Sequence, residues 1–291
     1  MRILLIGNTG QVGWELQRTL APLGDVLALD YPQIDLSNEK QTRILVRETR
    51  PHAIINAAAY TAVDRAEDEY AKALAINATG PQILAEEAKQ LGASLFHYST
   101  DFVYDGKKDV PYIETDTPAP LSAYGETKLL GDQAIEAVGG AHVIFRTAWV
   151  YSTRRPSFVT KVLGWARKFP ELRIVTDQIG SPTWARSLAE VTAQVLAMSR
   201  GDNAWLAEHA GVYHLGGLGG ASRYEWAQAI LANDPQADEH MARIIHPALT
   251  AEFPTPAERP AYSILNCDKL ARTFGIRLPD WKTNLQLAMT Q

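Results

Sequence analysis

Tyr124 and Lys128 are the pair with the clearest chemistry in this sequence. A helix brings residues i and i+4 to one face. A free phenol ionises near pH ~10, too high for easy proton exchange at neutral pH, and a neighbouring ammonium favours the phenolate and brings that value down. Just upstream, Phe96-His97-Tyr98-Ser99-Thr100 reads as a strand, and Thr100 at its end is placed to hold a substrate oxygen beside the phenol. Such a group of three suits proton transfer at a carbon–oxygen bond. Tyr-x-x-x-Lys alone is common on exposed helix faces, so its meaning depends on what else the chain supplies.

The chain also supplies a place for a dinucleotide. Arg2-Ile3-Leu4-Leu5-Ile6 is a short apolar run of the kind that forms a buried parallel strand. Gly7-Asn8-Thr9-Gly10-Gln11-Val12-Gly13 follows at once. Gly7 permits a tight turn, Gly10 lets the backbone approach a pyrophosphate, and Gly13 lets the next helix lie close to the strand. A helix opening at Gln11 and Val12 aims its free N–H groups and positive dipole end at phosphate, with Thr9 in the loop between. The spacing is G-x-x-G-x-x-G rather than the commoner G-x-G-x-x-G. A second strand ends in Asp30, about 20 residues past the glycines, where a carboxylate binds a ribose 2′-hydroxyl. Asp35 and Leu36 then flank an adenine. Ala59, Tyr60 and Thr61 follow a third strand and leave room for the dinucleotide across the strand ends. A nicotinamide cofactor, NADPH or NADH, would supply the hydride that matches the proton of Tyr124. Because Asp30 repels a 2′-phosphate, NADH is expected to serve at least as well as NADPH.

Strands are expected near 2–7, 25–30, 53–56, 94–99 and 142–147, and helices near 11–21, 39–50, 73–91 and 124–138. That alternation predicts an α/β fold with a Rossmann-like doubly wound parallel sheet. After Trp149 the pattern loosens. Helices are expected at 157–169, 186–199, 223–232 and 281–289, with short strands near 172–175, 212–215 and 243–246. Residues 1–150 read as a dinucleotide-binding domain, joined by the helix near 186–199 and later strands. Residues 151–291 read mainly as a smaller, discontinuous substrate lobe. Pro247 to Pro260 reads as an ordered loop over the site or a linker.

The 291 residues carry a net charge of -5, with 46% hydrophobic and 21% charged residues, the composition of an ordinary globular protein. No basic stripe points to nucleic acid, and no apolar run is long enough to span a membrane. The only cysteine, Cys267, rules out an internal disulfide and suits a reducing cytoplasm. The histidines have no metal-ligand spacing, and His97 and His214 read as structural or without a role. Trp14, Trp165, Trp184, Trp205, Trp226 and Trp281 read as packing residues.

The glycine loop, Thr100 and Tyr124-x-x-x-Lys128 resemble the extended short-chain dehydrogenase/reductases. Further stretches resemble the dTDP-4-dehydrorhamnose reductase family within them. These are Asn56-Ala57-Ala58-Ala59-Tyr60-Thr61-Ala62-Val63-Asp64, Tyr98-Ser99-Thr100-Asp101-Phe102-Val103-Tyr104-Asp105-Gly106, Arg146-Thr147-Ala148-Trp149-Val150-Tyr151, Asp177-Gln178-Ile179-Gly180-Ser181-Pro182-Thr183 and Arg259-Pro260-Ala261-Tyr262-Ser263-Ile264-Leu265-Asn266. The resemblance spans almost the whole chain. It implies reduction of the C4 ketone of dTDP-6-deoxy-L-lyxo-4-hexulose, with Thr100, Tyr124 and Lys128 catalytic and Lys128 also at the nicotinamide ribose. It implies Thr100, Asp101, Phe102 and Trp149 at the sugar and Arg259 at the diphosphate. The rivals are another nucleotide-sugar 4-ketoreductase, an epimerase, a dehydratase, or a non-catalytic protein of the same fold. A dehydratase of this family uses an Asp-Glu pair after the threonine, and here Asp101 is followed by Phe102.

Some reductases resembling this one are joined into dimers by magnesium, held by carboxylates on the first helix and on the helix after the Pro-Thr segment. Glu15 keeps the first. Arg186 stands where the second is expected, and a guanidinium is never a ligand. Arg186 is free to pair with a carboxylate, and Glu190, one turn on, is an alternative ligand. Magnesium is therefore possible but not expected to be required, and the chain is expected to be a monomer or a homodimer.

Overall fold

The computed structural model describes residues 1–290. Five strands form the frame of the site: β1 (Arg2–Ile6), β2 (Asp25–Leu29), β3 (Ala53–Asn56), β4 (Ser94–Thr100) and β5 (His142–Thr147). With the strand Gly211–His214 they make one six-stranded sheet in the order 211–214, β5, β4, β3, β1, β2. Every pairing in it is parallel. Successive side chains of a strand point to opposite faces. Ile3, Leu5 and Ile55 therefore join one apolar layer, and Leu4, Ile6 and Ile54 the other. Burying both faces is what makes these strands read as unbroken apolar runs. Strand order reverses between β1 and β3, so the crevice for a ligand opens past Ile6 and Asn56.

Helices cover both faces. Gln11–Leu20 packs on Ala185–Ser199, and Gly80–Leu91 lies between Glu39–Thr49 and Ala123–Val138. The helix expected near 73–91 is instead a short helix Tyr70–Leu74, a π-helical turn Ala75–Thr79 and then Gly80–Leu91. Pro81 explains the interruption. It has no N–H to give the carbonyl of Asn77, and its ring would clash there in a regular helix. The freed Asn77 carbonyl lies against Gly131, where a Cβ would stand 2.1 Å from its oxygen.

The smaller lobe has its own core. Trp184, Trp226 and Trp281 are buried in it with Tyr151, Val159 and Leu285. Strands Glu171–Val175 and Ile244–Ala248 pair in parallel beside the helix Phe158–Ala166. Helices Val63–Ala66, Asn203–Glu208 and Asp268–Phe274 went unseen in the sequence. All are too short to show a helical period. Among the described residues no helix is long and apolar enough to cross a membrane. Cys267 is a free, buried thiol.

Candidate active site

The glycine loop closes so tightly that only glycine fits. Gly7 has φ +86°, and a Cβ there would lie 2.6 Å from the Ala58 nitrogen. A Cβ on Gly13 would lie 2.0 Å from the Gly7 carbonyl oxygen. The helix Gln11–Leu20 starts at Gly10 with no side chain capping it, so its first N–H groups face the crevice unclaimed. A cavity of about 410 Å³ runs from this loop past Asp30, Ala59 and Thr61 to Tyr124 and Lys128. A second of about 460 Å³ shares Asp30 and Ala59 with it and adds Asp35 and Leu36. The two together have the shape and chemistry a dinucleotide needs, with donors at the loop and an acid where a ribose would fall. Asp30 is already engaged: its carboxylate accepts from the Thr9 N–H at 3.0 Å and the Thr9 hydroxyl at 2.5 Å. Asp35 accepts from Ser37 instead. Tyr60 lines neither cavity. Its N–H donates to Asn77 and its ring packs with Ala66 and Ala73.

At the far end of the crevice the helix Ala123–Val138 brings in the phenol and the amine. Ser122 caps it by accepting from the Gly125 N–H. Gly125 lets it seat on the turn after β4, where a Cβ would come 2.2 Å from the Phe102 carbonyl oxygen. Thr100 ends β4, accepts from the Phe102 N–H at 3.2 Å and donates to Asp101 at 3.1 Å. The Tyr124 ring meets Phe102 edge-on at 5.6 Å.

The Tyr124 phenol does not behave as its partner lysine predicts. Burial pushes its pKa up to about 12, partly offset by the Thr100 hydroxyl and reinforced by the charges of Asp101 and Asp132. The lysine does not counter this because it is turned away. Lys128 is buried, donates to the Tyr98 carbonyl at 2.7 Å and sits 2.9 Å from Nε2 of His97. Burial pulls the lysine itself down to about 8, against the charge of Asp132. A phenol held in its protonated form is nonetheless the right state for an acid that gives up a proton.

Beyond the turn, Asp101 is buried with one carboxylate oxygen unpartnered, and burial raises its pKa to about 6. The cation whose charge acts on it is Arg223, which the sequence reading missed. Its guanidinium lies 3.5 Å over the Trp149 ring, and burial lowers it to about 9 against the charge of Asp101. Nothing in the spacing of Arg223 marked it, because it opens a lobe helix far along the chain. Trp149 stacks on Trp226 and adopts φ +45°, unusual for so large a side chain. Next to this group a cavity of about 550 Å³ is lined by Phe158, Trp165, Phe253, Arg173, Arg223 and Arg259. Trp165 is thus a cavity wall, 37% exposed, and not the packing residue its type suggests. Arg259 reaches the cavity, but Asp64 grips it with two bonds of 3.0 and 2.9 Å. The Pro247–Pro260 segment is therefore a wall tied across to the larger lobe, not a linker. Flat aromatic faces and guanidinium groups stand side by side along that cavity, a setting for a base and a diphosphate.

On the opposite flank Glu15 is buried at a cavity of about 290 Å³ that it shares with Arg18, Arg154 and Arg186. Arg186 pairs with Glu190 at 2.9 Å. Among the described residues no three His, Cys, Asp or Glu side chains gather as metal ligands.

A family model described as the RmlD substrate binding domain matches residues 1–291. The dTDP-4-dehydrorhamnose reductase of Burkholderia thailandensis is 44% identical over 97% of this chain and 96% of its own. The crystal structure of a dTDP-4-dehydrorhamnose reductase from Clostridium acetobutylicum superposes with a TM-score of 0.91 at 35% identity, covering 100% of this chain and 99% of that one. That of Bacillus anthracis, in complex with NADP, does so with a TM-score of 0.88 at 33% identity, covering 99% and 98%.

Proposed function

The chain belongs to the RmlD substrate binding domain family, and from that premise we propose that it reduces the C4 ketone of dTDP-6-deoxy-L-lyxo-4-hexulose to give dTDP-L-rhamnose. The observation that carries this reading is the placing of Tyr124 and Lys128 at one end of a dinucleotide-shaped crevice, with the Thr100 hydroxyl beside the phenol and Phe102 rather than a second acid against its ring. Elimination of water needs that second acid, and reduction does not.

Backbone N–H groups of the glycine loop and the helix start would hold the pyrophosphate of a nicotinamide dinucleotide, Asp30 its adenosine ribose, and Lys128 its nicotinamide ribose. When bound, that cofactor supplies the hydride for C4. The chain supplies the rest. Thr100 and Tyr124 fix the carbonyl oxygen, and the Tyr124 O–H passes its proton to that oxygen as negative charge grows there. The ketone thus gains one hydride at carbon and one proton at oxygen. Trp149 and Asp101 border the sugar, and the aromatic, arginine-rich cavity of the smaller lobe takes the nucleotide. The cytoplasm, where reduced nicotinamide is held, suits the reaction. Incubation with each reduced cofactor and the 4-keto sugar nucleotide, followed by identification of the sugar formed, tests the reading. Cofactor that stays reduced, or a product still ketonic at C4, would sink it.

Two substitutions check the assignments. Asp30→Ala is expected to improve the use of NADPH relative to NADH, since it removes a charge that repels a 2′-phosphate. An unchanged preference in a kcat/KM comparison removes Asp30 from the ribose site. Arg259→Ala is expected to raise KM for the sugar nucleotide roughly tenfold or more, the scale of one charge-assisted hydrogen bond. The dissociation constant of the cofactor should stay put. An equal loss for both ligands would show that the variant has lost the Asp64 tie between lobes rather than a diphosphate contact.

A further inference from the structure

The hydrogen bonds around Lys128 do not balance if it carries a full positive charge. Asn56 ends β3 beside His97 in β4, directly across the ladder. The Ala58 N–H donates to the Asn56 side-chain oxygen at 3.1 Å, which fixes the direction of the amide. Its NH₂ group therefore faces Nδ1 of His97, 3.0 Å away, and donates to it. A neutral imidazole carries one proton, and with Nδ1 accepting, that proton sits on Nε2. Nε2 lies 2.9 Å from Nζ of Lys128. An ammonium has three donors and no lone pair, so two N–H groups would face each other across that gap. An amine would accept.

We propose that His97 and Asn56 are positioning residues for Lys128, which present an N–H to its nitrogen and so favour the uncharged amine while the crevice is empty. The inference rests on the assignment of Lys128 to the reacting end of the crevice, but its hydrogen-bond argument does not require a ligand.

The other groups around the lysine agree. His97 is fully buried, and burial holds its pKa well below the ordinary imidazole range, so it stays neutral. On the lysine's own helix, Tyr124 is protonated, and Asp132 is the one acid that favours the ammonium. One oxygen of that acid holds both Arg146 of β5 at 3.0 Å and the Ser99 hydroxyl of β4 at 2.9 Å; its other oxygen is buried without a partner and makes no hydrogen bond to the lysine. Asp101, on the turn after β4, is bonded to Thr100 and is not among the groups acting on the lysine. Burial holds the lysine pKa near 8, so its charge changes within reach of ordinary buffers. The amide that sets the chain in motion is fixed by Ala58, a residue of the crevice wall. A ligand that disturbs Ala58 can thereby reset the His97 tautomer and let the lysine take a proton.

The test uses the full-length chain without cofactor, labelled with ¹⁵N on lysine and histidine side chains, with Lys128→Met to assign the lysine signal. In the unaltered protein the His97 ring should show its proton on Nε2, and Lys128 should titrate near 8 or lower. Asn56→Asp keeps an acceptor for Ala58 but turns the other atom into an acceptor too. His97 must then carry its proton on Nδ1 and offer Nε2 as an acceptor, and Lys128 should rise by at least one pH unit toward the free-lysine value of about 10.4. A proton on Nδ1 in the unaltered protein would overturn the proposal even if Asn56→Asp fails to fold. So would a Lys128 titration that is the same in both proteins. Failure to bind any dinucleotide would instead strike the functional reading and leave this measurement standing.

Discussion

Tyr124→Phe should lower kcat by at least about 10², and by as much as about 10⁴, the range that a positioned general acid contributes. The loss belongs in kcat because the proton is needed only as charge develops on the sugar oxygen. Cofactor affinity should remain largely intact, since the glycine loop and Asp30 lie at the other end of the crevice. The ring that remains keeps its edge contact with Phe102, so packing should survive as well. Because burial pushes the phenol pKa up to about 12, the acid stays protonated across the ordinary pH range, and activity should not fall through its ionisation within that range. Steady-state kinetics of cofactor oxidation check both points. A variant with near-normal kcat would remove Tyr124 from the chemistry, and a matching rise in cofactor Kd would mean the crevice had collapsed.

Asp132→Ala should cost about 3–5 kcal/mol of stability, the penalty for leaving one member of a buried ion pair without its partner. Asp132 and Arg146 have side chains 0% and 5% exposed, so water cannot take over. Arg146 would keep only the Tyr104 hydroxyl at 3.0 Å, and Ser99 would lose its acceptor. Tyr104 in turn is tied to Nε2 of His214 at 2.7 Å, so the disturbance reaches the edge strand 211–214. Urea unfolding followed by circular dichroism measures the change. Replacing both charges, as Asp132→Leu with Arg146→Met, should recover much of it, because a buried pair contributes little beyond what apolar packing would. A single-variant loss under about 1 kcal/mol, the scale of a surface pair, would show that solvent reaches the pair.

Much of this was legible in the sequence because it is written locally. Ile3 to Ile6 are buried on both faces and read as a run, Gly7 and Gly13 stand where a Cβ has no room, and Tyr124 and Lys128 share a helix face. What could not be read depends on contacts between distant segments. The sign of the Tyr124 shift is set by burial under parts of the chain that carry no motif. Lys128 turns toward His97, thirty-one positions earlier, through the packing of its helix on β4, which spacing does not reveal. Arg223 meets Trp149 only because the lobe folds back on the sheet. Asp64 belongs to a segment singled out for its likeness alone, yet it holds Arg259 from 195 positions away. The π-helical turn escaped because Pro81 marks a possible break but not the form the chain takes around it.

The apolar layer on one face of the large sheet draws residues from nearly the whole chain, from Ile3 through Tyr213 and Leu215 to Leu270, Phe274 and Leu278. During synthesis β1 to β5 emerge before the segment Tyr213–Leu278, and that layer stays open until this segment has left the ribosome. Until then the nascent chain holds exposed sheet edges and apolar surface, a condition that invites chaperone capture and aggregation. The same arrangement gives early termination a clean consequence: a chain cut after the fifth strand leaves β5 as a bare edge with half its cover missing, and offers proteases an unfinished body rather than a working half.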